Sequence, residues 1–127
     1  MLNASLVSIV DDDQFFRESM RRLMRSLGYT VEAFRSAADF LASHRMAQTA
    51  CLIADVEMPG MTGIDLHRHL IDAGHAIPTI LLTAYVDRYR MFDDGVICWL
   101  RKPVDDTRLL QCLHAALRSG GPPEENS

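Results

Sequence analysis

Three consecutive acids, Asp11, Asp12 and Asp13, follow a short apolar run, and a fourth, Asp55, follows another. Further along, Thr83 closes the run PTILLT, and Lys102 stands between Arg101 and Pro103 after a fifth apolar stretch. Carboxylates brought close together repel, and one pKa is pushed up. A hard cation with oxygen ligands relieves that repulsion. An open cage of few carboxylates that keeps waters suits Mg²⁺ better than an all-protein Ca²⁺ site does. Lys102 would add one point charge and Thr83 one hydroxyl donor. Cation, ammonium and hydroxyl together suit the equatorial oxygens of a phosphoryl group in transfer. The nucleophile would be a carboxylate, and the product an acyl phosphate.

Each residue also has a bland reading. Asp13 reads first as the cap of the helix that follows it. Asp11 and Asp12 could be a solvated turn, and Asp55 an ordinary loop acid ahead of Pro59 and Gly60. Thr83 could be a plain strand end and Lys102 a surface lysine. Position lifts the set above these readings, because all its members fall at the same ends of the elements that must hold them.

Those elements alternate short β-like runs with helix-like runs, the pattern of a parallel sheet covered by helices. Ser5–Val10, Thr30–Phe34, Cys51–Ala54, Pro78–Thr83 and Val96–Leu100 read as strands. Asp13–Leu27 reads as a helix with Phe16, Met20, Leu23, Met24 and Leu27 at helical spacing, ended by Gly28. Ser36 with Asp39 suggests a capping box opening a helix to about Met46, and Thr62 with Asp65 another ending near Gly74. Val86–Asp94 is a weak helix candidate that Gly95 terminates, and Val104–Arg118 a final helix. The result is an α/β chain of five βα units. In such folds ligands collect outside the carboxyl ends of the strands, just after Val10, Ala54, Thr83 and Leu100.

Composition agrees with a single domain over residues 1–118 and a linker-like tail, SGGPPEENS, over 119–127. Of 127 residues, 48% are hydrophobic, enough for a core, and the net charge of −4 gives no basic field to hold nucleic acid. No apolar run reaches the roughly 18–20 residues that span a bilayer, and no signal peptide is evident. Cys51, Cys98 and Cys112 are odd in number and scattered, which argues against a disulfide framework or zinc site and for a reducing cytoplasm. His44, His67, His69, His75 and His114 lack metal spacing, and His67 and His69 point to different sides of one helix. Arg17, Arg21, Arg22 and Arg25 read as the solvated face of the first helix.

From about Leu6 to Leu117 the chain resembles the receiver domain of two-component response regulators. The resemblance rests on Ile9–Asp13 (IVDDD), Ala54–Gly63 (ADVEMPGMTG), Leu82–Ala84 (LTA) and Arg101–Pro103 (RKP). It implies a flavodoxin-like doubly wound (βα)₅ fold with strand order 2-1-3-4-5. It implies that Asp55 is the phosphoacceptor, that Asp12 and the Glu57 main-chain carbonyl help bind Mg²⁺, and that Asp11 acts mostly through metal-bound water. Thr83 and Lys102 would be phosphoryl ligands, Thr83 and Trp99 the switch pair, and Lys102–Pro103 a cis peptide. The donor would be a sensor histidine kinase or phosphotransfer protein. The outputs implied are a phosphorylation-dependent homodimer or a DNA-binding domain outside this chain.

The stretch from Thr83 to Lys102 is shorter than the family pattern, so the fourth helix should be truncated and the usual dimer mode is in question. Glu57 and Tyr85 flank the pocket and could alter water access. Two other classes compete with the regulatory phosphoacceptor. One is a Mg²⁺-dependent aspartate phosphatase with Glu57 as second acid. The other is a degenerate receiver acting only as a binding scaffold.

Overall fold

The apolar runs pair as five parallel strands in the order β2-β1-β3-β4-β5. The computed structural model describes residues 5–89 and 95–119. The strands are β1 (Leu6–Val10), β2 (Thr30–Phe34), β3 (Cys51–Asp55), β4 (Thr79–Thr83) and β5 (Cys98–Arg101). Between and after them run α1 (Gln14–Ser26), α2 (Ala37–Ala42), α3 (Gly63–Asp72), α4 (Val86–Tyr89) and α5 (Asp106–Ser119). Every residue of β1, β3 and β4 is buried, as parallel strands covered on both faces must be.

Side-chain alternation divides the interior into two layers. Val7, Ile9, Ile53, Ile80, Leu82 and Leu100 pack with Met20 and Met24 of α1 and Leu109 and Leu113 of α5. Val10, Leu52, Ala54, Leu81 and Trp99 pack on the other side with Phe40 of α2, Leu66 and Leu70 of α3 and Val86 of α4.

Local chemistry sets the helix ends. The Asp13 carboxylate caps α1 by accepting from the amides of Phe15 and Phe16, and Thr62 with Asp65 forms a complete capping box on α3. Gly28 follows α1 at φ 91°, a conformation that glycine adopts without strain. α2 is shorter than its spacing predicts. Its helix ends at Ala42, where Ser43 turns extended and its hydroxyl accepts from the Arg45 amide at 3.0 Å. A serine side chain thus offers the backbone a partner outside the helix, and a single 3₁₀ turn over Met46–Gln48 follows. α5 starts two residues later than Val104, with Asp105 accepting the bond from Leu109. α4 has four described residues, and the rest of the predicted Val86–Asp94 segment lies outside the described residues, as does the tail beyond Ser119.

The cysteine reading needs correction. Cys98 on β5 and Cys112 on α5 are joined as a disulfide with their Cα atoms 6.0 Å apart, leaving Cys51 free and buried. Packing of α5 onto the sheet brings together two residues that spacing alone cannot pair. The cysteines therefore give no argument for a reducing compartment.

Candidate functional site

The sheet alternation that builds the α1/α5 core layer continues past the ends of its strands. Two residues beyond Ile9, Ile53 and Leu100 on that same face stand Asp11, Asp55 and Lys102. Ladder-like bonds carry the backbone there: Asp11 N donates to Phe34 O at 3.1 Å, and Lys102 N to Thr83 O at 3.1 Å. Asp55 is the last residue of β3 rather than the first of a loop.

The three side chains interlock. The Lys102 ammonium donates to Asp11 Oδ2 at 3.3 Å and lies 3.2 Å from Asp55 Oδ1. The latter is an ion pair without hydrogen-bond alignment, so Asp55 Oδ1 is buried with its charge compensated but no hydrogen bond among the described residues. Asp11 Oδ1 accepts from the Asp13 amide at 2.8 Å. Asp12 is exposed beside the pair, and the carboxylates of Asp11, Asp12 and Asp55 each offer an oxygen within 4.8 Å of the others.

Burial dominates the electrostatics. It raises the Asp11 pKa against the Asp13 amide and Lys102, which lower it. Asp55 is pushed up to about 6 by burial first and then by the Asp11 charge, with Lys102 opposing. Burial disfavours the Lys102 ammonium, but Asp11 and Asp55 outweigh it, so the Lys102 pKa is raised. A cation among these oxygens would offset the burial and the repulsion that hold Asp55 up. The hard donor set, the orphaned Asp55 oxygen and an exposed third carboxylate fit a cation that keeps waters.

Thr83 belongs to the other face of the sheet, in the alternation of Leu81. It is fully buried. Its hydroxyl donates to Glu57 Oε2 at 2.7 Å and accepts from the Tyr85 amide at 3.0 Å. Trp99 lies on that face too, opposite in direction to Leu100, and stacks on Tyr89 of α4 with ring centroids 6.5 Å apart. The Lys102–Pro103 peptide is cis.

Some contributors were not singled out from sequence. The Phe16 ring lies 5.1 Å from the Lys102 ammonium, a cation–π contact from a residue read only as core. Arg17, read as solvated, instead donates its guanidinium to the Asp11 carbonyl at 2.7 Å. Helical spacing three and four residues past the acid run was the available signal for both. Gly63 opens α3 so close to β3 that an added Cβ would lie 2.5 Å from the Asp55 carbonyl oxygen. Beside Lys102 an open groove of about 430 Å³ is lined by Asp13, Phe16, Met20 and Val104.

A five-stranded parallel sheet carrying buried carboxylates and a lysine at its carboxyl end defines a class, and sequence comparison agrees with it. The family description "Response regulator receiver domain" matches residues 7–114. The chain is 36% identical to the response regulator protein TodT of Pseudomonas putida over 118 residues, 91% of this chain and 52% of TodT. It is 35% identical to the transcriptional regulatory protein TdiR of Thauera aromatica, covering 91% of this chain and 52% of TdiR. The solved structure of the response regulator StyR is 37% identical with a TM-score of 0.83, covering 93% of this chain and 61% of that one. The chain belongs to the response regulator receiver domain family and acts as a phosphoacceptor domain in two-component signalling. It spans about half the length of these curated relatives. Among the described residues no helix is long and apolar enough to cross a membrane.

Proposed function

We propose that Asp55 is the phosphoacceptor. Asp12, Asp55 and the Glu57 main-chain carbonyl would hold Mg²⁺, with Asp11 reaching it mostly through water. The observation that carries this reading is the buried Asp55 Oδ1. It has no hydrogen bond among the described residues, faces the Lys102 ammonium at 3.2 Å and shares a cluster with two other carboxylates. One Asp55 oxygen attacks the phosphorus of a phosphohistidine donor; the O–P bond forms as the N–P bond breaks, leaving an acyl phosphate. Mg²⁺, when bound, neutralises charge on the carboxylates and the phosphoryl oxygens. Lys102 supplies a compact point charge to the same oxygens, and Thr83 a hydroxyl donor once it turns toward them.

The donor is a sensor histidine kinase or phosphotransfer protein working in the cytoplasm, where the ATP that charges such donors is found. Phe15, 87% exposed and two residues past Asp13, offers it an apolar contact. The domain is regulatory and assists only its own phosphorylation and dephosphorylation. Its output is a changed partner surface, engaging either a second copy or a DNA-binding domain outside this chain; the relative TdiR, of which this chain covers 52%, is named a transcriptional regulatory protein. Incubation with acetyl phosphate and Mg²⁺ should add one phosphoryl mass to the wild type and none to Asp55→Asn. An adduct on the mutant would remove Asp55 from the role.

A further inference from the structure

We infer that the Glu57 side chain is a resting-state latch that holds the Thr83 hydroxyl away from the phosphoryl site and sets how readily the domain adopts its phosphorylated conformation. This rests on the phosphoacceptor reading of Asp55 and adds a role for a side chain which that reading uses only through its main-chain carbonyl.

A threonine hydroxyl has one proton to donate. In this structure the proton goes to Glu57 Oε2 at 2.7 Å, while the oxygen accepts from the Tyr85 amide at 3.0 Å. Thr83 is fully buried, so water does not compete for that proton. To donate to a phosphoryl oxygen on Asp55 the hydroxyl must first leave Glu57. The two acceptors exclude each other, and the Glu57 contact stabilises the unphosphorylated arrangement alone.

The latch is built to open. Glu57 is exposed, so its carboxylate has solvent to move into when it lets go. It stands two residues from Asp55, near enough for its charge to add to the Asp55 pKa rise. A phosphoryl group arriving on Asp55 brings more negative charge and repels the Glu57 carboxylate, just as it offers the hydroxyl a new acceptor. Trp99 lies on the same face of the sheet as Thr83, which ties release of the hydroxyl to the side of the molecule where α4 packs.

The test is beryllofluoride affinity at saturating Mg²⁺, a phosphoryl mimic that binds the acceptor carboxylate, measured in Glu57→Gln and Glu57→Ala. Both variants remove the charge, but the glutamine amide oxygen still accepts from Thr83. The latch requires Glu57→Ala to bind the mimic more tightly than Glu57→Gln, by about fivefold for one lost hydrogen bond. In a Thr83→Val background, which has no hydroxyl to hold, that difference must vanish. Equal affinities in the threonine background, or a difference that survives in the valine background, would overturn the latch and leave Glu57 a simple repulsive charge. Mimic binding to the wild type that is lost in Asp55→Asn checks the phosphoacceptor reading separately. Failure of the wild type to bind at all overturns that reading and the latch with it.

Discussion

The two faces of one sheet end in different kinds of side chain. Toward α1 and α5 the strands terminate in Asp11, Asp55 and Lys102, buried or half-buried and locked at 3.2–3.3 Å. The 13-residue α1, capped by Asp13, and the 14-residue α5 cover that face. Toward α2, α3 and α4 the face carries Thr83 at the end of β4 and Trp99 within β5. Thr83 is held by an exposed glutamate and Trp99 stacks on Tyr89 of α4. The first face is over-determined and fit to hold reacting atoms at fixed distances. Among the described residues the Thr83 and Trp99 contacts on the second are each breakable singly, as an element with two arrangements requires.

The largest effect expected from breaking this contrast is on the fixed face. Asp12→Ala should weaken Mg²⁺ binding by more than roughly tenfold, since it deletes the most accessible of three clustered carboxylates. Asp13→Ala should leave the metal affinity near wild type and cost about 1 kcal/mol of folding stability through the lost cap. Titration calorimetry and urea unfolding of both variants separate the two; equal metal affinities would mean the acid run is read out of register.

Gly63→Ala comes next. The new methyl meets the Asp55 carbonyl, so the backbone carrying the acceptor must shift, at a cost of about 1–3 kcal/mol. Acetyl phosphate labelling should slow in step. Unchanged stability and labelling would show that the β3–α3 junction gives way freely, and the fixed face would not be fixed.

The burial of Asp55 beside a second carboxylate has a pH signature. The folded-state pKa of Asp55 lies near 6, above its unfolded value, so the native state holds the extra proton between the two values. Stability from this group is therefore present at low pH and is lost as pH rises through about 6. Without metal, Asp55→Asn should stabilise the fold by about 1–3 kcal/mol near pH 7, and the gain should shrink toward pH 5. Urea unfolding with a chelator at both pH values tests the sign. A gain that does not depend on pH would place its origin elsewhere than in the ionised carboxylate.

The smallest effect belongs to the loose face. Trp99 is already buried against Tyr89 and Val86, so a switch moves it only partway. Its emission should still shift when beryllofluoride and Mg²⁺ are added together, lose the shift in Asp55→Asn and shrink it in Thr83→Ala. An unchanged spectrum with mimic binding shown independently would make Trp99 a static packing residue.

Legibility in the sequence followed the same division. Apolar runs of strand length, with Asp11, Asp55 and Lys102 at their carboxyl ends, carry the fold and the fixed half of the site, because parallel strands covered on both faces are written as continuous apolar runs whose side chains alternate in direction. The direction of Trp99 against Leu100 follows from the same rule. What depends on three-dimensional closure was not readable. No spacing rule pairs Cys98 with Cys112 or brings the Arg17 guanidinium to a carbonyl, and no pattern shows that the Thr83 proton rests on Glu57. The early end of α2 came from the Ser43 hydroxyl competing locally for the backbone, against the extension that spacing predicted.

In a sheet whose strands all run one way, each connecting helix runs back in the opposite direction. α5 starts beside the Lys102 loop and, over 14 residues, travels about 21 Å toward the far end of the molecule. Ser119 is therefore at the pole opposite the carboxylates. A tether that begins there has no line of sight to the phosphoryl group. The chain thus leaves the domain about 21 Å from the chemistry, so changes made at that exit point leave the carboxylates untouched.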